Sequence, residues 1–234
     1  MGNLFISCKD NRLCYTGRID HDSSDETNRF IYAGSSVSFK FKGTYAAAVI
    51  ANTMMSANEM SLGALVDGRL IKAVFDNGWD NHDKQTVVIA KGLDDKEHTV
   101  TIFKRQAAYH RFEFYGVELN EGAELLAYEK KYALKMEVYG DSVSAGEVVE
   151  AVENTASNDP EGHNGKYDNA YYSYPAITAR NLNAELYNNA QGGIAIFDGT
   201  GYFHYPDHIG VETTWDKLSY YPEGPYSQWD FTRF

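Results

Sequence analysis

Apolar and polar residues alternate with a period of two through the first half of the chain. Val37, Phe39 and Phe41 alternate with Ser38, Lys40 and Lys42 before Gly43, and the apolar run Tyr45 to Ala51 follows. Leu62 to Val66 and Leu70 to Phe75 flank Asp67-Gly68, a pair suited to a two-residue hairpin turn. Thr86 to Ala90, His98 to Phe103 and Arg111 to Leu119 add three more candidate strands, and no long helix is evident among them. Short strands at regular spacing, separated by Gly and Asp turns, predict a β-sandwich of jelly-roll type over residues 1–128.

Beyond residue 128 the pattern changes. Leu134, Met136 and Val138 alternate with charged residues and run into Gly140-Asp-Ser, which reads as a strand entering a tight turn. Val148, Val149 and Val152 then recur at spacings that fit one side of a helix, interleaved with Glu147, Glu150 and Glu153. Asn154 to Asp168 is rich in polar residues and glycine and reads as a surface loop. Tyr172 to Leu182 carries a helical pattern, with Pro175 in its first turn. Glu185 to Ala190 follows as a strand and runs into Gln191-Gly-Gly-Ile194. Strand, helix, strand and glycine turn open a doubly wound parallel sheet. The expected layout is therefore two-domain: a sandwich over 1–128 and an α/β unit over 129–234.

Composition narrows the function. A net charge of −12 with no basic stripe argues against a nucleic-acid partner. No apolar run is long enough to span a bilayer, so no membrane partner is expected. The first residues lack the charged and apolar regions of a secretory signal, which makes cytoplasmic the default location, with export open if a leader precedes them. Cys8 and Cys14 are too few ligands for zinc, and reduced thiols are expected over a disulfide. The 18 tyrosines, 12 phenylalanines and 3 tryptophans can stack on sugars, but filling a β-sandwich core is the first reading. Asp76 to Asp83 gathers acids, Trp79 and His82 in one loop, and His21 lies between Asp20 and Asp22. The spacing departs from a calcium loop, and solvated loops are expected at both places.

Ser142 is the candidate nucleophile. A turn of this kind holds a hydroxyl at the carboxyl end of a strand, where the crevice of an open α/β sheet lies. A helix starting at Ser142 would aim free N–H groups at an oxyanion there. The alternative is a Ser or Asp that merely caps the helix.

Gly140-Asp-Ser-Val-Ser-Ala-Gly146 resembles the first block of the GDSL or SGNH hydrolases. Ala190-Gln-Gly-Gly-Ile-Ala-Ile196, continuing through Asp198-Gly-Thr-Gly-Tyr-Phe203, resembles the second block of one branch. Tyr15-Thr-Gly-Arg-Ile19 and Ser36 to Gly43 are similar to the opening of the sandwich that precedes such a domain in carbohydrate esterase family 2. The resemblance implies a three-layer SGNH-type domain after the sandwich and an esterase that removes acetyl groups from plant polysaccharides of xylan or mannan type. It implies no metal and no organic cofactor.

Carried over by motif, Ser142 is the nucleophile and its own N–H lines the oxyanion hole with that of Gly193, or else Gly192. Gly140, Asp141 and Gly146 shape the turn, and Asp141 is not the triad acid. The family's third block, Gly-x-Asn-Asp, and its C-terminal Asp-x-x-His are absent, so the hydrolase domain is expected to be incomplete. His204 and His208, with Asp207 beside them, are expected to line the cleft or to be solvated. Two competing readings follow: a binding or structural protein with an inert hydrolase portion, and a lipase or thioesterase of the same superfamily.

Overall fold

The computed structural model describes residues 2–21, 24–53, 59–75, 83–220 and 227–234. Among the described residues ten strands form the first part: β1 (Leu4–Ser7), β2 (Cys14–Thr16), β3 (Ile19–Asp20), β4 (Asn28–Phe30), β5 (Ser36–Asn52), β6 (Met60–Val66), β7 (Arg69–Phe75), β8 (Gln85–Lys104), β9 (Phe112–Leu119) and β10 (Glu124–Leu126). All their pairings are antiparallel, in the path β3-β4-β9-β5-β8-β6-β7, with β1 on β9 and β2 and β10 on β5.

The strand count expected around the two longest ladders is corrected. The segments ending at Phe41 and beginning at Tyr45 are one strand, β5, and those ending at Ala90 and beginning at His98 are one strand, β8. Their ladder shifts register as Gly43 pairs with Lys96 and Tyr45 with Lys91, so the glycines and charged residues there bend the ladder without ending it. The first half of β5 pairs with β2 and β10 and the second half with β9, so the two bent strands serve both layers of the sandwich. Val37, Phe39 and Phe41 from one half of β5 share a fully buried core with Ala46, Ala48 and Ile50 from the other. The Asp67-Gly68 turn closes the β6–β7 hairpin, with φ of 50° and 82° at its two residues. Those angles are the left-handed pair that a two-residue hairpin requires.

The second part begins with β11 (Leu134–Val138), which pairs in parallel with β12 (Ala184–Asn188). Between them lie α1 (Ser142–Ala145) and α2 (Tyr174–Leu182). α3 (Val211–Thr214) and a small antiparallel pair, β13 (Lys217–Ser219) with β14 (Ser227–Gln228), follow. α2 starts two residues later than the periodicity suggests, because Ser173 caps it by accepting from Ala176 N–H, and Tyr172 belongs to a separate 3₁₀ turn.

The helix expected to run on past Val148 stops after one turn. Gly146 adopts φ 80° and its N–H returns to the carbonyls of Ser142 and Val143; a Cβ there would meet the Asn169 carbonyl oxygen at 2.8 Å. Val148 is left-handed as well, at φ 57°, and Val149 and Val152 end up exposed instead of forming a buried stripe. The two parts share buried polar contacts. Arg18 reaches Glu137, Tyr139 and the Lys217 carbonyl, and Arg105 reaches Glu150 and the Asp168 carbonyl. Among the described residues no helix is long and apolar enough to cross a membrane.

Candidate active site

β11 delivers Gly140, Asp141 and Ser142 to its carboxyl end. Asp141 is the N-cap of α1: its carboxylate accepts from Val143 N–H at 3.1 Å. Capping thus falls to the aspartate and leaves Ser142 half-exposed, with no hydrogen bond on its hydroxyl among the described residues. α1 is a single turn, so its dipole is small; what it offers an oxyanion is the backbone N–H of Ser142.

The turn is held from beneath. Ser144 Oγ lies 2.8 Å from the Tyr174 hydroxyl, and Asn188 Nδ2 donates to the Ser144 carbonyl at 2.8 Å. A Cβ on Gly140 would fall 2.1 Å from Ser144 Oγ, so the close approach admits glycine alone.

The second block comes to the same edge. Past the paired strands, Asn189 N–H donates to the Val138 carbonyl at 2.8 Å and Gln191 N–H to the Gly140 carbonyl at 2.9 Å. Gly192 and Gly193 follow directly, both half-exposed, with Gly193 at φ 78°. Among the described residues no hydrogen bond joins Ser142 to either glycine.

The loop beyond folds back on the second block: Tyr202 and Phe203 N–H both donate to the Gly193 carbonyl. His208 Nδ1 lies 3.0 Å from the Gly201 carbonyl, and His204 faces Asp207 at 3.4 Å. Asp207 therefore pairs with the histidine three residues before it and not with its neighbour His208. Among the described residues no hydrogen bond or ion pair joins either histidine to Ser142.

Sequence reasoning missed the buried charges behind the glycine turn. Lys104 is 1% exposed and its ammonium donates to the carbonyls of Gln106 and Ala107; burial pushes its pKa well below the usual lysine value. Burial, reinforced by Asp168, pushes Glu147 up to about 7, while a hydrogen bond from Tyr109 and the charge of Lys104 work the other way. The space a Cβ of Gly192 would need is taken by Glu147 Oε1, 2.4 Å away.

Asp168, read from sequence as part of a surface loop, is 2% exposed and accepts from Val148 N–H at 3.1 Å. Burial raises its pKa too. The sequence pattern sets the glutamates between the valines of a helix, and only a helix that ends at Gly146 turns Glu147 inward. Nothing in the local pattern carries that signal.

The Asp76 to Asp83 loop lies almost wholly outside the described residues, as does Asp22 beside His21. Cys8 and Cys14 are free thiols. Among the described residues no group of three or more His, Cys, Asp or Glu is arranged to hold a metal ion.

An antiparallel β-rich part thus packs against a parallel strand-helix-strand unit that carries a Gly-Asp-Ser turn at its strand end. Residues 15–128 match the carbohydrate esterase 2 N-terminal family model. The chain is 31% identical over 225 residues to the cellulase/esterase CelE of Acetivibrio thermocellus, a match covering 95% of this chain and 25% of that protein.

Solved structures agree. A family two carbohydrate esterase from Clostridium thermocellum, in complex with cellohexaose, superposes with a TM-score of 0.77 at 29% identity, over 95% of this chain and 62% of that one. A family two carbohydrate esterase from Cellvibrio japonicus shares the fold with a TM-score of 0.82 at 23% identity, over 99% of this chain and 64% of that one. The chain is thus a relative of the family 2 carbohydrate esterases, as the motif resemblance implied, and it spans less than two thirds of the length of these relatives.

Proposed function

We propose that this chain is the sandwich and the leading hydrolase portion of a carbohydrate acetyl esterase, two domains meeting near residue 128, and that Ser142 is its nucleophile. The observation that carries the reading is the half-exposed hydroxyl of Ser142 at the carboxyl end of β11, without a hydrogen-bond partner among the described residues, with Gln191 tied to Gly140 so that the glycine turn lies alongside. In this reading Ser142 Oγ attacks the carbonyl carbon of an O-acetyl group on a plant polysaccharide of xylan or mannan type. The N–H groups of Ser142 and of Gly193, or Gly192 in its place, hold the negative oxygen of the tetrahedral intermediate. The serine proton needs a base within hydrogen-bond reach. No hydrogen bond joins His204 or His208 to Ser142 among the described residues; the family resemblance implies instead a histidine from the part of its relatives that the chain does not span. Collapse of the intermediate releases the sugar hydroxyl, and water then frees acetate from the acyl-serine.

The test is acetyl release from acetylated xylan and glucomannan by the protein in its native length, with the intact mass from the natural source compared with the 26.3 kDa of this sequence. Ser142→Ala should lower the rate by about a thousandfold or more. Retention of the rate would remove Ser142 from the mechanism. A second reading is favoured by the lack of any histidine hydrogen-bonded to Ser142 among the described residues: a glycan-binding protein without catalysis. A native mass of 26.3 kDa, with oligosaccharide binding and no acetate release, would select it.

A further inference from the structure

Small side chains face one another where the sandwich meets α2. Val100 and Ile102 of β8 point into the sandwich core, so the alternation of the strand turns Thr99, Thr101 and Phe103 outward. Opposite them α2 presents Ala176 and Ala179. Threonines facing alanines cannot close the gap, and a cavity of about 410 Å³ remains between the two elements. That volume lies within the range of small-molecule sites, which favour such junctions.

The walls are apolar and aromatic: Leu65, Phe103, Tyr132, Tyr171 and Leu186. Phe103 and Tyr171 sit with ring centroids 6.0 Å apart at an interplanar angle of 31°. Among the described residues the charged ones that line the cavity are Lys130 and Arg180, and no Asp or Glu lines it, although the chain carries 33 acids and a net charge of −12. Among the described residues neither cation has a carboxylate partner. The Arg180 guanidinium lies 3.8 Å from the Tyr171 ring centroid and spends one donor on the Tyr171 carbonyl; the Lys130 ammonium lies 5.1 Å from the Tyr132 ring centroid. In so acidic a chain, two unneutralised cations at an aromatic cavity select an anion with a flat apolar body. A neutral sugar would instead call for carboxylate or amide groups to bond its hydroxyls, and Asn183 is the one amide side chain in the lining.

We propose that this cavity binds a small aromatic carboxylate, with the ring against Phe103 and Tyr171 and the carboxylate held by Arg180 and Lys130. Ser142 does not line the cavity, so the site is separate from the proposed catalytic one and stands or falls without it.

The test is a calorimetric titration of the protein with 4-hydroxycinnamate at low salt. A ligand of this size should bind with a Kd of about 1 mM or tighter. The neutral 4-hydroxycinnamamide should bind about fivefold more weakly or worse, and Arg180→Ala, on the exposed side of α2, should weaken the acid by a similar factor. Ala179→Leu should abolish binding by filling the cavity, with its thermal transition recorded alongside. Ser142→Ala should leave the Kd unchanged. Equal affinity for acid and amide would overturn the proposal, as would no heat at ~10 mM ligand, roughly tenfold above the expected Kd. Loss of binding in Ser142→Ala would move the ligand to the serine and overturn it as well.

Discussion

Removing the Arg18 guanidinium should loosen the two parts from one another. Its side chain is fully buried, and Nη2 lies 2.7 Å from Glu137 Oε1 and 2.6 Å from the Tyr139 hydroxyl, while Nη1 donates to the Lys217 carbonyl at 2.7 Å. The rings of Tyr139, Trp229 and Phe231 lie 5.3–5.5 Å from it. Arg18→Met keeps much of the volume and leaves Glu137 without its cation. Breaking a buried pair from one side typically costs about 3–5 kcal/mol. Glu137 keeps a 2.8 Å hydrogen bond from Asn189 and is 15% exposed, which places the expected loss at the lower end, about 3 kcal/mol. For a chain of this length that corresponds to a fall in Tm of roughly 6–12 °C.

Urea unfolding of Arg18→Met, Glu137→Gln and the double variant measures the coupling directly. The double variant should cost at least about 1 kcal/mol less than the two single losses together. Arg12→Ala, which breaks the exposed pair with Asp10, is the control and should cost less than about 1 kcal/mol. If Arg18→Met is no worse than that control, or if the losses simply add, the buried pair does not tie β11 to the sandwich.

Other consequences follow from the same structure. Glu147 has its pKa raised from an ordinary 4.5 to about 7, so the folded state holds a proton that the unfolded chain releases, and its contribution to stability falls as pH rises between those values. Glu147→Gln removes that loss: relative to the parent, its stability should climb by up to about 3 kcal/mol from pH 4.5 to 7. A flat difference across that window in paired denaturation curves would contradict the burial argument. Gly63→Ala places a Cβ 2.0 Å from the Phe103 ring and should destabilise by about 1–3 kcal/mol or more, read as a lower urea midpoint. Gly192→Ala drives a Cβ into Glu147 Oε1 and, under the proposed esterase reading, should lower acetyl release while leaving the thermal transition of the sandwich in place.

Legibility in the sequence followed the range of the interaction. The alternation of β5, the Asp67-Gly68 hairpin and the strand-helix-strand order around Ser142 were readable because each is set within a few residues, by the pleat, the turn or the cap. The two motif blocks were readable for the same reason, and so was the capping role open to Asp141. The early stop of α1 was not, because it depends on the Asn169 backbone pressing on Gly146 from 23 residues away, which no local periodicity encodes.

The sequence by itself determined a sandwich followed by a parallel unit with a serine at a strand end. Only the tertiary structure decided that β5 and β8 run unbroken through both layers and that a half-buried Glu147 and a buried Asp168 lie beside Lys104. It alone joined Arg18 to Glu137 across 119 residues and left a cationic cavity open against α2. The physical reason is common to all four. Burial and pairing of charge depend on which surfaces meet, and segments far apart in the chain meet only once the whole core has packed.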